Sequence, residues 1–245
     1  MDRGNEEGKI ILRRALWRNW FNIFTCYPKL SYVARHRARY SERFKLRFVK
    51  SLVRKILRAS NIKVVAHGTE NIPSKDGCFI CCNHQQKFDP LAIWNTFPKS
   101  VRVIVEEEVT DRPFIYEICE LTRSCKINRN SNRDAYNAFK HITSDLVNGA
   151  NYLIFPEGEY NSDVKHLLPF KNGCFKAPLG AKVPIIPAAI IDSNKVLLGH
   201  FFQSYKIHVY YLEPINPEDY EGMKTCEISS MVQSRIQAVV DKYQK

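Results

Sequence analysis

His84 and Asp89 stand five residues apart in Asn83-His84-Gln85-Gln86-Lys87-Phe88-Asp89-Pro90, between an apolar run that ends at Cys82 and a helical pattern that opens with Leu91-Ala92-Ile93-Trp94. A turn this compact can bring the Asp89 carboxylate back to one imidazole nitrogen of His84. The carboxylate then fixes the tautomer and orientation of the ring, and the other nitrogen is left to accept a proton. That is a general base that needs no protein nucleophile. The spacing leaves a second reading open, a structural histidine beside an aspartate that N-caps the next helix, with Pro90 at the first helical position.

Further blocks surround this one. The strand-like run Tyr152–Phe155 ends in Pro156-Glu157-Gly158-Glu159-Tyr160-Asn161-Ser162, and Pro169-Phe170-Lys171-Asn172-Gly173 and Val183-Pro184-Ile185-Ile186-Pro187 follow. Upstream lies Val64-Val65-Ala66-His67-Gly68-Thr69-Glu70-Asn71-Ile72-Pro73. HxxxxD with a downstream FPEG and these flanking blocks, in this order over about Ile62 to Leu212, resembles the glycerolipid acyltransferases of the lysophosphatidic acid acyltransferase type.

The resemblance implies acyl transfer from a thioester, on coenzyme A or acyl carrier protein, to a hydroxyl of a lyso-lipid, most closely 1-acylglycerol-3-phosphate. His84 would take the hydroxyl proton and Asp89 would orient the imidazole and stabilise its charge. No covalent enzyme intermediate and no metal or redox cofactor is implied, because the thioester is already activated. By the same resemblance Asn83, Glu157 and Gly158 belong to the acceptor site, and Arg129, in Lys126-Ile127-Asn128-Arg129, binds the acceptor's phosphate, a task that suits a guanidinium. Phe155, Pro156, Lys171, Gly173 and Pro184 support the motifs. Where the family continues FPEG with Thr-Arg-Ser, this chain has Glu159-Tyr160-Asn161, and where it carries lysines after the run Val101–Val105, this chain has Glu106-Glu107-Glu108. Both changes make the expected acceptor region less positive and keep a different lyso-lipid acceptor open.

The elements that must position these residues are legible as short apolar runs alternating with helical patterns from Ile62 onward. Strands are expected at Ile62–Ala66, Cys78–Cys82, Val101–Val105, Tyr152–Phe155, Ile185–Ile190 and Ile207–Leu212. Ala135, Phe139, Ile142 and Leu146 recur at helical steps after Ser131 or Asn132 as N-cap, and Ile228, Val232, Ile236 and Val239 do the same near the C-terminus. This alternation predicts an α/β fold with a mostly parallel central sheet flanked by helices, whose ligands bind beyond the carboxyl ends of the strands. The expected division is a two-helix membrane-association segment over 1–60 and an acyltransferase domain over 61–245.

Charge separates the two parts. The net charge of +12 lies entirely in the first quarter, which holds 16 Lys+Arg against 4 Asp+Glu up to Ser60, while the rest balances at 21 against 21. An aromatic-rich helix is expected from about Lys9 to Tyr27, stopped by Pro28, and a second from about Ser31 to Ala59. The second places Arg43, Arg47, Lys50, Arg54 and Arg58 on one basic stripe, and Trp17, Trp20, Phe21 and Phe24 load the first with apolar surface. A basic face beside aromatic residues suits the plane of an anionic membrane surface. It equally describes helices packed on the body with a solvated basic face. A nucleic-acid partner would also use such a helix, but no helix-turn-helix, zinc-finger or RNP pattern accompanies it.

No uncharged apolar run approaches the roughly 20 residues of a spanning helix, and the expectation is a peripheral or monotopic protein on the cytoplasmic face of a membrane. The eight cysteines read as reduced, intracellular thiols, and in Cys78-x-x-Cys81-Cys82 strand alternation sends the last two to opposite faces, so buried structural thiols are favoured there over a zinc site. Two rival functions remain: a non-catalytic lipid-binding protein of the same fold, and a thioester hydrolase that uses the same base on water.

Overall fold

The computed structural model describes residues 25–128, 130–161, 163–198 and 203–243. Seven strands form one sheet: β1 (Ile62–His67), β2 (Phe79–Cys82), β3 (Arg102–Glu106), β4 (Cys125–Ile127), β5 (Tyr152–Ile154), β6 (Ile185–Ile191) and β7 (Tyr205–Tyr211). Their order across the sheet is β1-β7-β6-β2-β5-β3-β4, and every neighbouring pair is parallel except antiparallel β6 and β7. The helices are α1 (25–35 in its described part), α2 (Glu42–Ala59), α3 (Asp89–Thr96), α4 (Glu107–Thr110), α5 (Ile115–Thr122), α6 (Asn132–Val147), α7 (Lys176–Ala181), α8 (Lys195–Leu198) and α9 (Thr225–Tyr243).

Alternation along β2 divides the core. Ile80 and Cys82 join one apolar cluster with Leu30, Val49, Leu52, Val53, Leu57 and Ile93 from α1, α2 and α3. Phe79 and Cys81 face the other, with Ile142 and Leu146 of α6 and Ile228, Val232 and Ile236 of α9. A strand buried on both faces has no polar side to show, and all four residues of β2 are buried. This central strand delivers the His84 loop at its carboxyl end. Cys81 and Cys82, on opposite faces, are thiols whose burial raises their pKa well above the ordinary value.

At the sheet edge, Gly68 turns the chain out of β1 with φ +68°, and a Cβ there would lie 2.1 Å from the carbonyl oxygen of Tyr211. Only glycine fits that approach.

The N-terminal region departs from the expected pair of helices. Residues 1–24, with Trp17, Trp20, Phe21 and Phe24, lie outside the described residues. Pro28 does not stop the first helix, which continues to residue 35: proline lacks an N–H donor, but its fixed φ is helical. The second helix does not begin near Ser31. The chain turns through Arg37–Arg39, and Ser41 caps α2 by accepting the N–H of Phe44. α2 buries Val49, Leu52, Val53 and Leu57 and leaves Arg43, Arg47, Arg54 and Arg58 exposed, with Lys50 half-buried. Three polar links tie this region to α5 and the turn after it: Tyr27 donates to Glu117, Arg37 pairs with Glu120, and Arg123 pairs with Glu42. Among the described residues no helix is long and apolar enough to cross a membrane.

β4 was not expected. Its three residues include Lys126, and so short a polar-interrupted run carries no periodicity to read. Ser131 caps α6 as anticipated, accepting the N–H of Asp134.

Candidate active site

β2 and β5 are parallel neighbours, so the loops that leave their carboxyl ends lie side by side. The first carries His84 and Asp89. The imidazole Nδ1–H donates to Asp89 Oδ2 at 2.8 Å, which leaves Nε2 as the acceptor. Asp89 is fully buried, and the same Oδ2 also accepts the N–H groups of Gln85 and Gln86, each at 2.7 Å. The expectation that Asp89 caps the following helix is corrected here. Its carboxylate turns back into the loop, away from the N–H groups of α3, because Asp89 is itself the first residue of that helix and Phe88 precedes it as cap. Pro90 then falls in the first turn, where its missing N–H has no cost.

The second loop grips the first by its backbone. Glu157 is buried, its Oε1 accepts the N–H of His84 at 2.7 Å, and its Oε2 accepts the N–H of Leu168 at 2.9 Å. Burial pushes the Glu157 carboxyl above its ordinary pKa, and the two backbone donors oppose that shift. From the same loop the N–H of Asn161 donates to the carbonyl of His84 at 2.9 Å. The peptide groups on both sides of the histidine are therefore fixed. Gly158 sits at φ +85°, a conformation glycine adopts without strain, and its N–H donates to Phe155.

The other expected residues fall into distinct places. Asn83 is buried, donating to the carbonyl of Ile190 at 3.0 Å and accepting its N–H at 2.7 Å. With both ends of its amide engaged by β6, it staples the loop to the sheet. Phe155 stacks on the His84 ring at 3.9 Å. The carbonyl of Pro156 accepts the N–H of Lys171 at 2.9 Å, which fastens the downstream block beneath the second loop. Lys171 and Gly173 are exposed at the start of the short helix Asn172–Phe175, and the carbonyl of Pro184 accepts the N–H of Phe79 at 2.9 Å to set the register of β2 against β6. Arg129 lies outside the described residues.

Two neighbours of the dyad carried no sequence signal for their placement. Tyr160, notable in the sequence only as a departure, packs its ring against His84 at 4.4 Å. Gln85 links the dyad loop to the turn after β6, its Oε1 accepting the N–H of Ser193 at 3.0 Å. A separate polar cavity of about 350 Å³ lies at the amino ends of β3 and β4, where its Arg37 and Arg102 are paired with Glu120 and Asp145. It belongs to the seam between the N-terminal helices and the body.

An oriented imidazole, its buried carboxylate partner and a second loop that fixes the histidine's main chain, at the carboxyl ends of adjacent parallel strands, form an arrangement able to take a proton from a hydroxyl. The acyltransferase family profile matches residues 63–191, more than half of the chain, and the chain belongs to that family. It is 26% identical over 222 residues to a probable 1-acyl-sn-glycerol-3-phosphate acyltransferase of Mycoplasma pneumoniae, an alignment covering 83% of this chain and 81% of that protein. Identity is also 26% to the 1-acyl-sn-glycerol-3-phosphate acyltransferases of Escherichia coli, over 75% of both chains, and of Saccharomyces cerevisiae, over 75% of this chain and 61% of the yeast protein. The crystal structure of the 1-acyl-sn-glycerophosphate (LPA) acyltransferase PlsC from Thermotoga maritima has the same fold, with a TM-score of 0.75 at 22% identity over 96% of this chain and 97% of that one.

Proposed function

We propose that this acyltransferase moves a fatty acyl group from an acyl thioester to the free hydroxyl of 1-acylglycerol-3-phosphate, a step of phospholipid synthesis. The His84–Asp89 contact at 2.8 Å is the observation that carries the mechanism. His84 Nε2 takes the hydroxyl proton as the oxygen attacks the thioester carbonyl. Asp89 stabilises the imidazolium, the tetrahedral intermediate expels the thiolate, and the imidazolium returns the proton to sulfur. The donor thioester, on coenzyme A or acyl carrier protein, is activated enough that no metal or redox cofactor is required. The names of the relatives support the phosphate-bearing acceptor.

The same proposal makes the chain a peripheral or monotopic protein at the cytoplasmic face of an anionic membrane, held by its N-terminal segment. The exposed arginine stripe of α2 supports this, together with Tyr32 and Phe44, which are exposed on the same region. Glu159 and Tyr160 favour a second reading of the acceptor, a lyso-lipid whose head group pairs with a carboxylate. A panel of lyso-acceptors with and without phosphate, assayed with both thioester donors, separates the two. Fastest turnover of 1-acylglycerol-3-phosphate supports the first, and no product from it with either donor overturns it.

A further inference from the structure

Two aromatic rings from the loop after β5 flank the imidazole of His84. Phe155 stacks on it with centroids 3.9 Å apart and planes inclined by 16°, and Tyr160 lies 4.4 Å away, tilted by 48°. The two rings differ in position. Phe155 is buried, whereas Tyr160 is 45% exposed, and the His84 side chain between them keeps only 14% of its surface in solvent. Tyr160 is therefore the outer wall of the base, with bulk water on its far side.

A base that activates a lipid hydroxyl activates water equally well. In that side reaction water gives its proton to His84 Nε2, its oxygen bonds to the thioester carbonyl carbon, and the carbon–sulfur bond breaks. The thiolate recovers the proton from the imidazolium, and a free fatty acid and a thiol leave. Nothing in the His84–Asp89 dyad prefers one hydroxyl over the other, so the choice lies in what can reach Nε2.

We propose that Tyr160 is a positioning residue that sets the partition between acceptor and water: its ring shields His84 from bulk water and narrows the approach to Nε2 to a hydroxyl delivered by a bound lipid. The ring does this, and the phenolic proton takes no part. Partial burial, with the Asp89 and Glu106 carboxylates nearby and Arg112 opposing them, pushes the Tyr160 phenol up to about 12, so it stays protonated at neutral pH.

The inference rests on the acyl-transfer reading, and one set of assays keeps their failures apart. Thiol release from acyl-coenzyme A is measured for the full chain with and without 1-acylglycerol-3-phosphate, alongside formation of the diacyl product and the pH profile of each. Tyr160→Ala should raise the ratio of hydrolysis to transfer by about tenfold or more, as expected for opening a closed site to water. Tyr160→Phe should restore the wild-type ratio, and Tyr160→Leu, which covers less of the imidazole, should fall between and stands in for Tyr160→Ala if that variant does not fold. A wild type that acylates no acceptor removes the acyl-transfer reading and this inference with it. A wild type that transfers, with hydrolysis and transfer falling in equal proportion in the variants, removes this inference alone.

Discussion

Glu157 holds the backbone N–H of His84 at 2.7 Å, so a carboxylate from the loop after β5 fixes the main chain of the base supplied by the loop after β2. Its other oxygen accepts the N–H of Leu168. Glutamine has one acceptor oxygen where glutamate has two. Glu157→Gln should leave one part-buried N–H unpaired, at a cost of about 1 kcal/mol, and lower the unfolding midpoint. With the histidine less firmly placed, transfer should fall by about 10–10²-fold. Thermal unfolding and initial rates test this, and a less stable variant with the wild-type rate would confine Glu157 to the fold.

His84→Ala should reduce transfer by about 10²–10⁴-fold while circular dichroism still reports a folded chain. A rate within a few-fold of wild type would remove the general-base assignment. Asp89→Asn should impair both rate and stability, because Asp89 Oδ2 accepts three donors in a fully buried position and the neutral amide cannot stabilise an imidazolium.

A pH dependence is expected from the sheet edge, where His67 Nε2 and His208 Nδ1 lie 3.0 Å apart. Burial lowers the His208 pKa, His67, Lys206 and Lys195 add to that, and Asp192 opposes them. A lowered imidazole pKa means that the unfolded chain binds the proton more readily. Stability from the neutral form is thus complete above about pH 6.5 and declines as the pH falls from there toward the folded value. Unfolding midpoints between pH 7.5 and 5.5 should fall, and His208→Gln should flatten the slope. An unchanged slope in the variant would clear the pair of this role.

Arg43→Glu, Arg47→Glu, Arg54→Glu and Arg58→Glu together should weaken co-sedimentation with anionic vesicles and leave the sheet folded, since all four side chains are exposed. High salt should reproduce only part of the loss, because apolar contacts are little screened. Full vesicle binding by the reversed protein would make the stripe a solvated face.

The strands around the site were legible because burial on both faces leaves unbroken apolar runs such as Phe79–Cys82 and Ile185–Ile191, and His84 and Asp89 stood out by their place just after one of them. Of the two directions open to the Asp89 side chain, back to His84 or onto the next helix, the structure takes the first. An aspartate before a proline reads as a cap, and only the folded loop shows it accepting from Gln85 and Gln86. Asn83 entered the expected acceptor site by resemblance alone, and its engagement with Ile190, which spans 107 residues, lies beyond any local pattern. Pro28 misled in the opposite direction, since proline breaks a helix on its N-terminal side and permits one on its C-terminal side. The contact between Tyr160 and His84 bridges two loops and depends on the pairing of β2 with β5.

In the described sheet β1 pairs with β7 alone, joining Ile62–His67 to Tyr205–Tyr211 across most of the sequence. During synthesis, β1 and the basic helix that precedes it emerge long before the strand that will close them into the sheet. Such distant pairing is slow to form, so the nascent chain exposes its amphipathic α2 and an unpaired strand edge while some 140 further residues are translated. A nearby lipid surface at that stage would cover the apolar face of α2 before the body does. The edge formed by β1 and β7 is completed only after β2 to β6 have all been translated.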